Sequence, residues 1–419
     1  MTTSAFSLFF VAAVLITTAL HIWLSLRQSA AVRAHRDTLP HDFAGRIELA
    51  DHQRAADYTV AKARAGIGEY GVESLLLLLL TLGGGLGYID QLLRNAVADH
   101  HLRGLLLFAV AGIISFLVML PQSLYRTFVI EANFGFNKLT WSLWLTDLVK
   151  GTLLSVAIGG PLLYAVLWLM DAMGAQWWLY VWALWLGFNL LVLFLYPTVI
   201  APLFNKFTPL QDAALKDRID ALLSRCGFTS SGLFVMDGSK RSAHGNAYFT
   251  GFGRAKRIVF FDTLLEKLTP EEIEAVLAHE LGHFKHRHVI KRIVLMAVMS
   301  LGFLWLLGQL INEPWFYAGL GVQKVGAGDT ALALLLFSMV LPVFLFPLAP
   351  LTSALSRRHE YEADAYAAKQ TAAENLITAL VKLYRDNAAT LTPDPLHSLF
   401  HDSHPPAHLR IAHLRGISA

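Results

Sequence analysis

Apolar runs of about twenty residues recur along this chain, and nothing else in the sequence limits the fold so severely. They lie near Ala5–Leu26, Glu73–Leu93, Leu102–Leu120, Gly151–Met170, Trp177–Tyr196, Ile293–Ile311 and Ala331–Leu351. Roughly 20 helical residues cross a bilayer's hydrocarbon core. In lipid, backbone groups must be satisfied within the element, so each run reads as a helix. The composition agrees: of 419 residues 55% are hydrophobic and only 16% are charged, a balance rarely found in soluble domains. The expected fold is mainly α, with about seven transmembrane helices. The second run is the weakest of the set, because the glycines of "TLGGGLGY" oppose a helix. Pro161, Pro342, Pro347 and Pro350 predict kinks, which a bundle tolerates when neighbours satisfy the freed carbonyls.

The first run is followed by "RQSAAVRAHR", so its positive charge comes after the apolar residues. A secretory signal has the opposite order, and the run is therefore read as a retained helix. Basic residues then set the orientation. Arg27, Arg33, Arg36, Arg46, Arg54, Lys62 and Arg64 follow the first run, and Arg126, Lys138 and Lys150 follow the third. The opposite loops offer little beyond Arg94 and Lys324. Positive loops stay cytoplasmic, so the amino terminus is expected outside and the carboxyl terminus inside. Trp177, Trp178 and Trp185 fit an interfacial belt or bundle packing. A formal net charge of +3 gives no argument for nucleic acid. The lone Cys226 rules out an internal disulfide and a cysteine-based zinc site, and reads as a small core residue.

Two regions are too polar to be membrane. Residues 204–292 mix an amphipathic helix pattern, "DAALKDRIDALLSRCGF", with strand-like "GLFVMDG" and "KRIVFFD". Residues 356–419 form a second helical polar region. The expected organisation is a five-span membrane region over 1–203. A second domain with a small β-sheet covers 204–419, interrupted by spans at 293–311 and 331–351. Both polar regions would face the cytoplasm and be brought together by the two spans.

The chemistry concentrates in "EAVLAHELGHFKHRH", residues 274–288. His279 and His283 are four apart, so on a helix both imidazoles leave one face toward a common point. That is a two-histidine zinc half-site, with Glu280 between them placed as a general base. Such a pattern arises by chance in roughly one chain in fifty, so its context matters. Upstream, Thr269 as N-cap, Pro270 at the first helical position and Glu271 and Glu272 in the first turn predict a clean helix start. The helix is expected to run past His286 and His288 directly into the sixth span. Gly282 leaves room near a metal or serves ordinary helix packing. After the last span, "SRRHEYEADAYAAK" offers Glu360 and Asp364 one turn apart. One carboxylate would bind the metal, and the other would accept a ligand histidine's free N–H.

With those residues in view, "LAHELGHFKHRH", "SRRHEYEADAYA", "NAYFTGFGRAKRIVFFDTLL" and "SHPPAHLRI" resemble the type I CAAX prenyl endopeptidases. These are integral-membrane gluzincin zinc proteases, distantly similar to HtpX-like proteases. "EANFGFNKLTWSLWLTDLVKG" resembles their amino-terminal membrane region, so the likeness covers nearly the whole chain in the expected order. The resemblance implies a zincin-like metalloprotease domain with one Zn2+ per chain, held by His279, His283 and Glu360, with Glu280 as base and Asp364 behind a histidine. It makes Asn246 and Ala247 the start of a substrate-aligning edge strand, and it sets His404 and Arg410 close to the metal. His404 is the expected oxyanion stabiliser, and Arg410 an expected substrate contact. It also implies a large chamber enclosed by the seven helices. Expected partners are a peptide or protein substrate, prenylated in the CAAX reading, and the lipid bilayer. The expected location is a bacterial inner membrane, or the endoplasmic reticulum membrane in a eukaryote.

Two other readings stay open. One is a quality-control protease that clips misfolded membrane proteins, since bacteria seldom prenylate proteins in this way. The other is a transporter or scaffold with a structural metal. That would need a closed coordination sphere, whereas three ligands plus Glu280 suggest an open fourth position. His286 and His288 read as surface polar residues or as contacts behind the metal ligands rather than as a second metal site, and His244 and His359 carry no assignment.

Overall fold

The computed structural model describes residues 1–250, 257–324 and 329–418. The middle of "NAYFTGFGRAKRIVFF", residues 251–256, lies outside the described residues.

The membrane half begins with α1 (Thr3–Ala34), capped by the Thr2 hydroxyl, which accepts from the Ala5 N–H. It packs along α2 (Leu49–Leu80), and α3 (Gly85–Ala96) follows at 49° after a short break. The expected single span Glu73–Leu93 is therefore bent in the middle. Gly84 has φ +77°, a left-handed turn that costs glycine nothing and a side chain much more. Next come α4 (His100–Tyr125), α5 (Trp141–Leu154), α6 (Gly160–Ala172), α7 (Trp177–Leu195) and the single turn α8 (Ala201–Phe204).

Wide π-type turns at Arg126–Glu131, Ser155–Gly159 and Tyr196–Ile200 make His100–Glu131, Trp141–Ala172 and Gly174–Phe204 continuous crossings. Pro121, Pro161 and Pro197 sit in or beside these turns. A proline has no N–H to give, and the ladder re-forms with a different spacing around it. Among the described residues, six helices are long and apolar enough to cross a membrane, or seven if the bent pair counts as one span. Phe10, Leu86, Leu107, Leu167, Tyr317 and Leu336 form the bundle's core. Leu8, Leu117, Leu153 and Val298 are exposed on its outside, a disposition that suits lipid rather than water.

The second half starts with β1 (Phe207–Pro209) and α9 (Ala213–Cys226). Asp212 caps α9 at its start and Gly227, at φ +69°, ends it. Strands β2 (Leu233–Met236), β3 (Ala247–Thr250) and β4 (Arg257–Phe261) complete a sheet in the order β1-β2-β4-β3. Among the described residues only the β2–β4 pair is parallel, and β3 is an edge strand with Ala247 opposite Phe260. After α10 (Asp262–Leu265) comes α11 (Pro270–Lys285), whose Thr269 and Glu272 exchange the two hydrogen bonds of a capping box.

The expected unbroken run from α11 into the next span is not found. Arg287 has φ +55°, and a new helix, α12 (His288–Leu310), starts after it. The short α13 (Pro314–Gly319) leads to α14 (Thr330–Leu345), which joins α15 (Ala349–Gln370) through a tight turn containing Pro347. Helices α16 (Ala373–Asp386), α17 (Pro395–His401) and α18 (Ala407–Ser418) close the domain. Its core joins Ile219 and Leu222 of α9, Ile258 and Phe260 of β4, Leu277 and Leu281 of α11, and Leu376 of α16. Cys226 packs at the margin of this core.

Candidate active site

Helix α11 lies against α15, and their closest approach is at Gly282. A Cβ there would stand 2.9 Å from the Ala363 Cα, so the contact admits only glycine without movement. Of the two roles considered for Gly282, the structure shows helix packing. That closeness lets both helices present their polar faces to one point.

His279 Nε2 and His283 Nε2 are 3.2 Å apart, and each is 3.4 Å from a different oxygen of Glu360. Asp364 stands behind them, its Oδ1 2.8 Å from His279 Nδ1. Between the two acids the structure thus distinguishes an inward Glu360 from an outward Asp364. Arg410 of α18 grips Asp364 at both oxygens, with Nη2–Oδ1 of 2.6 Å and Nε–Oδ2 of 2.9 Å. Its Nη1 is 3.9 Å from Glu360 Oε2. Asp364 and Arg410 are both buried, so a charge pair props the imidazole from behind.

His404 reaches in from the loop before α18, with Nδ1 2.7 Å from Glu360 Oε2, while its side chain stays largely exposed. Asn246 and Ala247 share a cleft of about 200 Å³ with His279, Glu280, His404 and Arg410. There the Asn246 Oδ1 accepts from the Ala247 N–H.

The donor set fits a metal ion. Glu360 Oε2 is buried and accepts no well-aligned hydrogen bond, despite the nearness of His404. Burial favours a neutral His279, yet the Asp364 and Glu360 carboxylates beside it outweigh this and hold its pKa up at about 9. The carboxylates therefore favour positive charge at the point His279 faces. His283 is pushed down to about 3, by burial and then by the charge of His279, and so keeps a free lone pair. Glu280, on the same turn, has its pKa raised above the ordinary value, chiefly by loss of hydration; a charged His279 opposes this and Glu360 adds to it.

Of the two readings open for His288, the structure shows a contact behind a ligand. His288 is buried, with Nδ1 2.9 Å from His283 Nδ1 and Nε2 2.9 Å from Glu362 Oε2. The left-handed Arg287 turns the chain back so that His288 faces His283, a fold-back that no helical spacing signals. His359 stacks on His288 at 4.0 Å and His286 at 5.6 Å. His244 lies apart, stacked on Phe136, with Nδ1 3.2 Å from Asn387 Oδ1.

A histidine pair and a glutamate from two adjoining helices, with a second glutamate beside them and a bundle of membrane helices attached, define a membrane metallopeptidase. Comparison with known proteins makes this specific. Residues 209–418 match the model of peptidase family M48. Residues 28–206 match the CAAX prenyl protease N-terminal model, described as five membrane helices. The chain belongs to peptidase family M48 and is an integral-membrane, multi-pass metalloendopeptidase with a metal cofactor.

CAAX prenyl protease 1 of Saccharomyces cerevisiae is 40% identical over 318 residues, covering 73% of this chain and 70% of that one. The Oryza sativa homologue is 35% identical over 94% of this chain and 93% of its own. The crystal structure of S. mikatae Ste24p superposes with a TM-score of 0.90 at 33% identity, covering 98% of this chain and 99% of that one.

Proposed function

We propose that this chain is a zinc endopeptidase of the CAAX type, removing the carboxyl-terminal tripeptide from prenylated substrates. The observation that carries the reading is the convergence of His279, His283 and Glu360 to within 3.4 Å, beside Glu280 and the β3 edge in one cleft. Similarity to relatives named CAAX prenyl proteases supports the choice of substrate.

In this reading His279, His283 and Glu360 hold Zn2+, an ion well suited to imidazole and carboxylate donors. When bound, it supplies Lewis-acid polarisation of the scissile carbonyl and a more acidic water. Glu280 takes the attacking water's proton and delivers it to the leaving amine, a task helped by its raised pKa. Asp364 accepts the His279 Nδ1–H and fixes the ring, and Arg410 fixes Asp364. His404 donates to the oxygen on which negative charge develops. The substrate lies extended along β3 from Asn246 and Ala247, using the unpaired side of an edge strand. Arg410 also lines this cleft, at its inner wall.

Cavities inside the bundle support a lipid-modified substrate. One of about 750 Å³ is lined by Val14, Leu77, Met119, Met299 and Phe346. Another of about 760 Å³ shares Tyr70 with it and extends to His404. An isoprenoid chain would lie among these apolar side chains while the peptide end reaches the cleft. The basic loops support an active site toward the cytoplasm, in a bacterial inner membrane or, in a eukaryote, the endoplasmic reticulum membrane.

The test is cleavage of a farnesylated CAAX peptide by purified protein, with Glu280→Ala and chelator-treated samples beside it. Activity is expected only in untreated wild type, with zinc retained in Glu280→Ala. Wild type that holds zinc but leaves the peptide intact would shift the assignment to clipping of unfolded membrane proteins. Protein without bound zinc would overturn the reading altogether.

A further inference from the structure

At the opposite end of the bundle a second set of ligand side chains converges. Among the described residues, two groups of three metal-ligating side chains come together: the one at the active site, and His100, His101 and Asp171. Helix α12 begins at His288 beside the active site, and Gly308 and Gln309 near its far end line a cavity with His100 and Asp171. Twenty-three residues of helix span about 34 Å, so the two groups are a membrane's thickness apart.

The geometry points to a second, separate binding site here for a divalent transition-metal ion, formed by His100, His101 and Asp171. His100 Nε2 is 2.9 Å and His101 Nε2 3.1 Å from the same atom, Asp171 Oδ2. Neighbouring helical residues normally diverge by about 100°. Here the two rings lie with centroids 3.9 Å apart and both turn their Nε2 to one carboxylate. Donors at bonding distance from one tetrahedral ion are separated by about 3.3 Å, given bonds of about 2.0–2.1 Å. The catalytic trio, at 3.2 and 3.4 Å, shows how such a set looks in this fold.

The hydrogen bond between His100 Nε2 and Asp171 Oδ2 accounts for only part of the arrangement. The His101 Nε2 is buried and makes no aligned hydrogen bond, even to the oxygen 3.1 Å away, so its lone pair or proton lacks a partner. Leaving such a group unsatisfied is costly, whereas a bound ion would satisfy it. Asp171 lies in the last turn of α6, at the negative end of its dipole, and Asp99 caps the positive start of α4. Two imidazoles and one carboxylate favour Zn2+, Cu2+ or Ni2+ over Ca2+ or Mg2+, which prefer oxygen. The adjoining cavity of about 730 Å³ leaves His100 and Asp171 accessible from outside the bundle.

The test measures metal content by mass spectrometry in protein freed of any affinity tag and dialysed against buffered Zn2+. Wild type should hold two ions per chain. Both His100→Ala/His101→Ala and the milder Asp171→Asn should hold one and retain peptidase activity, which shows that they fold. His279→Ala/His283→Ala should keep one ion despite losing activity, so this site is read independently of the catalytic one. The combined four-histidine variant should hold none. The proposal is overturned if His279→Ala/His283→Ala holds no ion, or if the His100/His101 and Asp171 variants keep the wild-type content.

Discussion

Replacing Asp364 and Arg410, singly and together, separates what the buried charge pair does for the metal from what it does for the fold. Asp364→Asn keeps the size of the side chain but removes the charge that holds the His279 Nδ1–H at 2.8 Å. Partners of this kind are worth about 10–100-fold in metal affinity, or about 1.4–2.7 kcal/mol. Arg410→Met leaves Asp364 buried without its two-pronged partner. Stranding a buried charge costs about 3–5 kcal/mol. The double variant Asp364→Asn/Arg410→Met strands nothing, so it should recover most of the stability lost in Arg410→Met while still binding zinc poorly. Zinc affinity is read by competition with a chromogenic chelator, and stability by the melting temperature in detergent with zinc held constant. Strictly additive effects on melting, with coupling below about 0.5 kcal/mol, would refute the account. Wild-type zinc affinity in Asp364→Asn would refute it too.

Gly282→Ala should push α11 from α15 at the Ala363 contact, costing about 1–3 kcal/mol and lowering zinc occupancy as His279 and His283 move from Glu360; normal occupancy would refute this. The acid limb of kcat/KM should lie above 4.5, the ordinary glutamate value. In the proposed mechanism Glu280 works as a carboxylate, and its pKa is raised, so activity should fall as pH drops through that raised value; a pH–rate profile with its limb at or below 4.5 would contradict it. Thr269→Ala should cost about 1 kcal/mol by removing the α11 N-cap, seen as a lower melting temperature with peptide cleavage nearly intact.

The parts legible in the sequence are those that repeat or are local. Span length gave most of the crossings, and "HELGH" with its Thr269–Glu272 start revealed the helix and its two imidazoles. "RHEYEAD" supplied both acids; spacing left their roles open, the family resemblance put Glu360 inside and Asp364 behind, and the packing of α15 on α11 has them in those positions. What was hidden depends on single dihedral angles or distant contacts. The bend at Gly84 split a run whose hydropathy is continuous. Arg287 turned His288 back on His283, although the helix was expected to run unbroken past it. The grip of Arg410 on Asp364 joins α18 to α15, and the convergence of His100 and His101 on Asp171 needs two helix ends to meet. Neither pairing has a local sequence signal.

Glu360 enters the site from α15, beyond two membrane crossings that follow His283, and Arg410 comes from the last helix of all. A chain emerging from the ribosome therefore carries "HELGH" long before it can cut anything. Only when α12 and α14 have both been inserted, in the correct sense, does the third donor arrive. In the proposed reading the enzyme is unarmed until both crossings are in place, and any copy threaded the wrong way stays so. Proteolysis by this molecule is thus itself a certificate of correct topology.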